Sequence, residues 1–137
     1  MMIIDGKKEA EILRQEIKKE IESLKSKNNE VPGLTVILIG DFAPSQIYVK
    51  NKEKSAKEVG IQSNVVRYSK EVTEEEVLKK IEDLNNDTDV SGILVQLPLP
   101  PQINKEKIIN AVSPKKDVDG FHPINVGNLS SGHHALV

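Results

Sequence analysis

Apolar residues recur near the start of the chain at three- and four-residue intervals, with lysine and glutamate between them. This spacing follows the turn of an α-helix, about 3.6 residues, and predicts an amphipathic helix. The apolar stripe comprises Ala10, Ile12, Leu13, Ile17, Ile21 and Leu24. Asp5 is a suitable N-cap for this helix, and Asn28-Asn29 interrupts the pattern.

Two later segments are apolar almost without interruption. Residues 34–39 read Leu-Thr-Val-Ile-Leu-Ile, and residues 92–97 read Gly-Ile-Leu-Val-Gln-Leu. Such runs are typical of strands that are covered on both faces. A shorter strand is predicted from Ser63 to Tyr68, and the prolines that begin at Pro98 end the last strand.

Helices are predicted between these strands and after the last one. The segment from Pro44 to Val59 is followed by Gly60, a suitable C-terminal glycine. Thr73 opens the next helix with a Thr-x-x-Glu capping box, and residues 104–112 form a short fourth helix. Residues 114–137 contain many Pro, Gly, Ser and Asn residues, so this last part is predicted to be loop-rich.

Strands that alternate with amphipathic helices indicate right-handed crossover connections and a parallel sheet. We therefore expect an α/β fold, a three-layer α/β/α sandwich with a mostly parallel sheet. Ligands of such sheets bind beyond the carboxyl ends of the strands. The rule selects residues 40–52, after the first buried strand, and residues 96–101, after the last.

The composition fits one globular domain, with 137 residues of which 37% are hydrophobic and 29% charged. A net charge of −2 and a total of two tyrosines and two phenylalanines argue against nucleic acid as the main partner. No apolar run approaches the ~20 residues that cross a bilayer, and acidic Asp5 makes the start unlike a secretory signal. Because cysteine is also absent, we expect a cytoplasmic protein.

Three residues in the predicted second helix share one face, since Ser45, Tyr48 and Lys52 are three and four residues apart. A neutral lysine beside a flat ring could act as a proton acceptor, although the pattern alone also fits an ordinary surface lysine. Gln96 interrupts an otherwise apolar strand. A buried amide there must be hydrogen-bonded, either to the backbone of a neighbouring loop or to a ligand or catalytic group.

The acidic segment from Asp117 to Gly120 allows three interpretations: a plain turn, the opening of a calcium loop, or an acidic anchor for a ligand. The residues that follow supply no closing glutamate, so a calcium loop is disfavoured. His122, His133 and His134 lack zinc-site spacing and are interpreted as polar loop residues. No metal site is predicted.

Taken together, three motifs resemble the N-terminal catalytic domain of the bifunctional methylenetetrahydrofolate dehydrogenase/methenyltetrahydrofolate cyclohydrolase family. They are Tyr-Val-Lys-Asn-Lys at 48–52, Val-Gln-Leu-Pro-Leu-Pro at 95–100 and Lys-Asp-Val-Asp-Gly at 116–120. The resemblance implies oxidation of 5,10-methylenetetrahydrofolate to the 5,10-methenyl cation and its hydrolysis to 10-formyltetrahydrofolate. It also implies a setting in one-carbon metabolism and purine biosynthesis.

The resemblance further implies roles for individual residues. The catalytic set that it implies is Lys52, Tyr48 and Gln96, with Lys52 as the key residue. Tyr48 would also stack along the folate, and Gln96 would hydrogen-bond Lys52. Asp119 would receive the amino edge of the pterin. The complete substrate-binding set that it implies is Ser45, Tyr48, Lys52, Val95, Gln96, Leu97, Pro98 and Asp119.

The same resemblance divides the chain into a folate-binding catalytic domain at 1–120 and a loop-rich segment at 121–137 that leads toward a dinucleotide-binding Rossmann domain. No Gly-x-Gly-x-x-Gly loop occurs in the 137 residues. The resemblance implies that full-length relatives bind NADP, or NAD, and because this loop is missing we expect no cofactor to be bound by this chain. Full-length relatives are expected to be homodimers and this chain a monomer.

Two other functions remain open at this point. One is a non-catalytic folate-binding module. The other is a general α/β anion binder that uses the helix start near Pro44 and Ser45.

Overall fold

The computed structural model describes residues 5–28 and 30–136, in which helices and strands alternate. The expectations that involve residues 1–4 and Asn29 lie outside the described residues. The described elements are α1 Gly6–Asn28, β1 Gly33–Ile39, α2 Ala43–Val59, β2 Gln62–Tyr68, α3 Glu74–Asn86, β3 Gly92–Val95, α4 Lys105–Ala111 and α5 Pro123–Ser130. None of these helices combines the length and the apolar character required to cross a membrane.

The three strands form a parallel sheet in the order β2-β1-β3. β1 is central, and its Val36 lies beside Val65 of β2 and Leu94 of β3. Five of its residues in succession, 35–39, are buried. The prediction of a parallel sheet with a doubly covered central strand is therefore confirmed.

Side chains of β1 alternate between two apolar clusters because successive residues of a strand point to opposite faces. Val36 and Leu38 pack in one cluster with Val49 of α2. Ile37 and Ile39 pack in the other cluster. That second cluster also contains Val77, Ile81 and Leu84 of α3 and Ile108 of α4. Helices thus cover both faces of the sheet, which confirms the three-layer architecture.

The predicted helix ends are present. Gly60 follows α2 in the left-handed conformation, at φ 93°, and its N–H reaches the carbonyls of Ala56 and Lys57. Thr73 and Glu76 form a complete capping box at the start of α3. The Asn104 side chain accepts from the backbone N–H of Lys107 at the start of α4. These caps are local interactions, so a sequence pattern is enough to predict them.

The apolar stripe of α1 is only partly covered. Ile21 is buried, whereas Ile12, Leu13 and Leu24 are exposed. α1 packs on α2, and Ile21 lies against Gly60 at the end of that helix. The stripe predicted the helix correctly, but it did not predict how much of the helix the rest of the chain covers.

The prediction that residues 121–137 are loop-rich is wrong for residues 123–130, which form α5. Pro123 occupies the first turn, where its missing N–H costs nothing, and the His122 side chain caps the helix by accepting from the backbone N–H of Ile124. The last strand is also shorter than predicted. β3 ends at Val95, so Gln96 and Leu97 belong to the connection that follows it.

Candidate functional site

Three segments that are distant in sequence meet at the carboxyl edge of the sheet. They are α2, the residues that follow β3, and the turn at 117–121. Together they form a cleft of about 160 Å³. The residues that line it are Lys52, Leu94, Val95, Gln96, Leu97, Asp119 and Phe121. The cleft therefore lies where the connectivity of a parallel sheet places ligands.

Lys52 and Gln96 are in direct contact across this cleft. The Lys52 Nζ donates to Gln96 Oε1 over 3.2 Å. The Gln96 Nε2 donates to the carbonyl of Leu97 over 3.0 Å, and the Gln96 backbone N–H donates to Ile37 O over 2.9 Å. Because the Gln96 backbone is tied to the central strand and its amide is tied to the next residue, its oxygen is held toward the amine.

Ser45 belongs to the same group of contacts. Its side chain is buried, and its Oγ donates to the carbonyl of Leu97 over 3.3 Å. The first turn of α2 is thus attached to the residues after β3. The Leu97–Pro98 peptide bond, which is cis, follows directly, and Pro98 is exposed beside the cleft.

Tyr48 is placed differently from the other predicted residues. It lies one turn before Lys52 on α2, but 61% of its surface is exposed and it does not line the cleft. Its ring therefore stands at the rim rather than in the wall. An exposed ring beside a polar cleft offers a flat apolar face to a ligand that extends beyond the cleft.

Asp119 is half-buried in the wall opposite Lys52. Burial raises the pKa of its carboxyl above the ordinary value, because the charged form loses hydration. The charge of Lys52 lowers this pKa, and the charge of Asp117 raises it. N–H donors on a ligand would therefore stabilise the charged form of Asp119 in this cleft.

Four residues in and next to the turn at 117–121 were not among the predicted site residues. Asp117, His122 and Asn125 are buried polar residues at the base of the turn, and Phe121 lines the cleft. The interpretation of His122 as a polar loop residue is wrong, because it is the buried N-cap of α5. The Pro that follows His122 was a signal of a helix start that could have identified it.

Other hollows border the fold, including two that contrast with the cleft. One, of about 20 Å³, lies behind Asp119 between β3 and α4 and is mostly apolar. The other, of about 650 Å³, lies at the opposite edge of the sheet, beside Glu30, Gln62 and Asp89. Although it is larger, we do not assign it as the site, because it is lined by two carboxylates and no cation. The cleft of about 160 Å³, by contrast, contains the amine of Lys52, the amide of Gln96 and the carboxylate of Asp119.

Residues 4–119 match the family described as tetrahydrofolate dehydrogenase/cyclohydrolase, catalytic domain. The chain belongs to this family. The bifunctional protein FolD of Pelagibacter ubique (strain HTCC1062) is 61% identical over 137 residues, which are 100% of this chain and 49% of that protein. This member of the tetrahydrofolate dehydrogenase/cyclohydrolase family thus spans about half the length of the curated relatives that it matches.

Solved structures of the family have the same fold. A 5,10-methylenetetrahydrofolate dehydrogenase of the silkworm Bombyx mori superposes with a TM-score of 0.95 at 41% identity, over 98% of this chain and 47% of that one. The Trypanosoma brucei methylenetetrahydrofolate dehydrogenase-cyclohydrolase, complexed with NADP cofactor and inhibitor, gives 0.90 at 35% identity, over 93% of this chain and 43% of that one.

The connections from strand to helix in this family member lack the glycine-rich phosphate loop of dinucleotide sites. Phosphate loops of that class are rich in glycine and present backbone N–H groups at a helix start. The connection from β1 to α2 contains one glycine, Gly40, and places Pro44 in the first turn of the helix. The connections at 69–73 and 96–104 contain no glycine. Residues 5–28 and 30–136 also contain no group of three or more His, Asp or Glu side chains placed to hold a metal.

Proposed function

We propose that this chain forms the folate site of a bifunctional methylenetetrahydrofolate dehydrogenase and methenyltetrahydrofolate cyclohydrolase. The observation that carries the proposal is the convergence of Lys52, Gln96 and Asp119 on one cleft at the carboxyl edge of the sheet. A reduced folate offers complementary groups: N–H donors on its pterin, and a reactive one-carbon unit a few bonds away.

In this proposal, Asp119 anchors the pterin. Two parallel N–H···O bonds from the amino edge of the pterin to a carboxylate are strong and fix its orientation. The burial that raises the pKa of Asp119 also leaves its carboxylate with fewer water partners. Donors on the ligand replace those partners, and Val95 and Leu97 in the cleft wall, with Pro98 beside it, provide apolar cover for the ring.

The rest of the folate extends past the cleft. About 160 Å³ accommodates a ring system but is well below the roughly 300–1,000 Å³ of sites that enclose a whole drug-sized ligand. The aminobenzoate would therefore lie over the exposed ring of Tyr48, at the rim. Ser45 supports this arrangement indirectly, because it holds the first turn of α2 against Leu97.

Hydrolysis of the methenyl cation requires water to add to its amidine-like carbon. The water oxygen bonds to that carbon, and the Lys52 amine accepts the proton that the water releases. The hydroxyl group now on that carbon gives up its proton as the bond from the carbon to N5 breaks, N5 takes up a proton in its place, and a formyl group remains on N10. Gln96 accepts a hydrogen bond from the Lys52 Nζ and so directs the amine lone pair.

Oxidation of the methylene substrate requires a hydride acceptor, and the connections at 40–42, 69–73 and 96–104 lack the glycine-rich phosphate loop typical of dinucleotide sites. We propose NADP for this role, with NAD as the alternative, bound by a part of the full-length protein that this chain does not include. We also propose a cytoplasmic protein that is monomeric as this chain and homodimeric at full length.

Methenyl hydrolysis with a matched lysine pair tests the proposal. Lys52 and Lys54 lie on the same helix, but Lys52 lines the cleft and Lys54 is exposed. Absorbance of 5,10-methenyltetrahydrofolate should decay faster with the chain than in buffer, and Lys52→Ala should abolish the difference. Lys54→Ala should leave it intact. Equal effects of the two substitutions would contradict the assignment of Lys52.

A non-catalytic folate-binding module is the second candidate, and the exposure of Tyr48 and Phe121 favours it. An open cleft admits bulk water, which weakens the electrostatic control that catalysis needs. Binding of a reduced folate without hydrolysis above the buffer rate would establish this candidate instead. Hydrolysis that depends on Lys52 would exclude it.

A further inference from the structure

A second carboxylate, Asp117, lies beneath the turn that carries Asp119. Only 5% of Asp117 is exposed, and its backbone lies beside β3, where Lys116 O accepts from Ile93 N over 2.7 Å. Within the described part of the chain, no lysine or arginine forms an ion pair with this carboxylate. A buried charge without a counter-ion must be stabilised by hydrogen bonds.

Those hydrogen bonds come from the start of α5 and the residues just before it. One carboxylate oxygen of Asp117 accepts from the backbone N–H of Phe121 over 3.3 Å. The other accepts from the His122 N–H over 2.8 Å and from Asn125 Nδ2 over 3.0 Å. Donors at the beginning of a helix suit a negative charge, because the helix dipole is positive there.

Asn125 completes the arrangement. It is 5% exposed, and its Nδ2 also donates to Pro114 O over 2.9 Å. One amide group therefore joins Pro114, Asp117 and α5. The turn between these attachments is closed by the N–H of Gly120, which donates to Asp117 O over 3.3 Å, and Gly120 has the positive φ of 69° that glycine adopts without strain.

The residues held between these attachments face the cleft. Asp119 and Phe121 line it opposite Lys52 and Gln96, whereas Asp117 and Asn125 lie behind them and do not line it. We propose that Asp117 and Asn125 are positioning residues of the folate site, which hold the turn at 117–122 so that Asp119 and Phe121 face Lys52. This inference rests on the proposed function.

Affinity for 5-formyltetrahydrofolate, a stable reduced folate, tests the inference in the 137-residue chain. Asn125→Ala removes both bonds of the amide, and we expect it to weaken binding by about threefold to tenfold, the usual effect of one net hydrogen bond. The control is Asn110→Ala on α4, whose exposed amide donates only to Glu106 O of its own helix. This control should bind as the unmodified chain does.

Asp117→Asn provides a readout that a purely structural role would not change. The charged groups that act on Asp119 are Lys52 of α2 and Asp117 of its own turn. Without the Asp117 charge, the pKa of Asp119 falls, so the pH below which binding weakens should move down. Affinity should also decrease, because an amide cannot accept all the bonds that the carboxylate accepts.

Thermal unfolding of each variant identifies the temperature at which all are folded, and affinities are compared there. If Asn125→Ala folds and binds as tightly as the unmodified chain, the inference is overturned, whether or not Asp117→Asn folds. If the unmodified chain binds 5-formyltetrahydrofolate and Asp119→Asn weakens that binding, such a result leaves the proposed function in place. If the unmodified chain does not bind, the proposed function fails, and this inference fails with it.

Discussion

Replacement of Gln96 by leucine separates the orientation of the Lys52 amine, the proposed proton acceptor, from the stability of the fold. Leucine is similar in size to glutamine but cannot accept the hydrogen bond from Lys52 Nζ. The carbonyl of Leu97 loses its bond from Gln96 Nε2, yet it keeps the one from Ser45 Oγ at 3.3 Å. No backbone group in this region is therefore left without a partner, and the fold should tolerate the change.

The expected size of the effect follows from that single contact. Lys52 gains positive charge as it accepts the water proton, and a hydrogen bond from a charged donor contributes about 1.5–3 kcal/mol when it is well protected; Lys52 and Gln96 are only half-buried, so a smaller value is expected. A loss of about 1–2 kcal/mol in transition-state stabilisation corresponds to a decrease of roughly 5- to 30-fold in kcat/KM. Unfolding stability should change by about 1 kcal/mol or less.

The assay is the decay of 5,10-methenyltetrahydrofolate absorbance, with stability followed in parallel by denaturant unfolding. Gln102→Leu is the matched control, because the Gln102 amide donates to the carbonyls of Lys70 and Val72 and does not line the cleft. The control should lose stability and keep its hydrolysis rate. Hydrolysis by Gln96→Leu at the unmodified rate, or an equal loss in both variants, would refute the reasoning.

Three further outcomes are expected. Burial raises the pKa of Asp119 in the folded state, so this group favours folding below its unfolded pKa and loses that contribution as pH rises through its folded pKa. At pH 7, Asp119→Asn should therefore unfold at a higher denaturant concentration than the unmodified chain. Below about pH 4 the two should unfold at the same concentration, and a stability gain that persists there would contradict burial of the Asp119 charge as the cause. Ile108→Ala, at a fully buried position, should cost about 2–5 kcal/mol in a denaturant titration, and a loss below about 1 kcal/mol would show that the site is not packed as described. Mixed with 5,10-methylenetetrahydrofolate and NADP, this chain should produce no methenyl absorbance, and clear turnover would mean that its residues do bind the dinucleotide.

Local patterns predicted most of the fold because the interactions that create them are local. The capping box of Thr73, the glycine after α2 and the apolar run of β1 each depend on neighbouring residues. The parallel sheet and its ligand edge followed from the alternation of these elements. The cleft residues Lys52 and Gln96 could be selected because both fall at that edge.

The base of the turn at 117–122 could not be predicted in the same way. Asp117 and Asn125 are polar residues in a stretch rich in Pro and Gly, which usually indicates a solvated loop. They are buried because the Asn125 amide donates to the Asp117 carboxylate, eight residues earlier in the chain, and both side chains bond to nearby backbone groups. These contacts depend on the positions of β3 and α5 in the fold. The exposure of the apolar stripe of α1 could not be predicted for the same reason, because the burial of a helix face depends on which other elements pack against it.

A titration of the labelled chain with 5-formyltetrahydrofolate, followed by backbone amide NMR shifts, tests the location of the proposed folate site most directly. We expect the largest shifts on Lys52, Gln96, Asp119 and their neighbours, at the carboxyl edge of the sheet. Shifts concentrated around Glu30, Gln62 and Asp89, at the opposite edge, would contradict it.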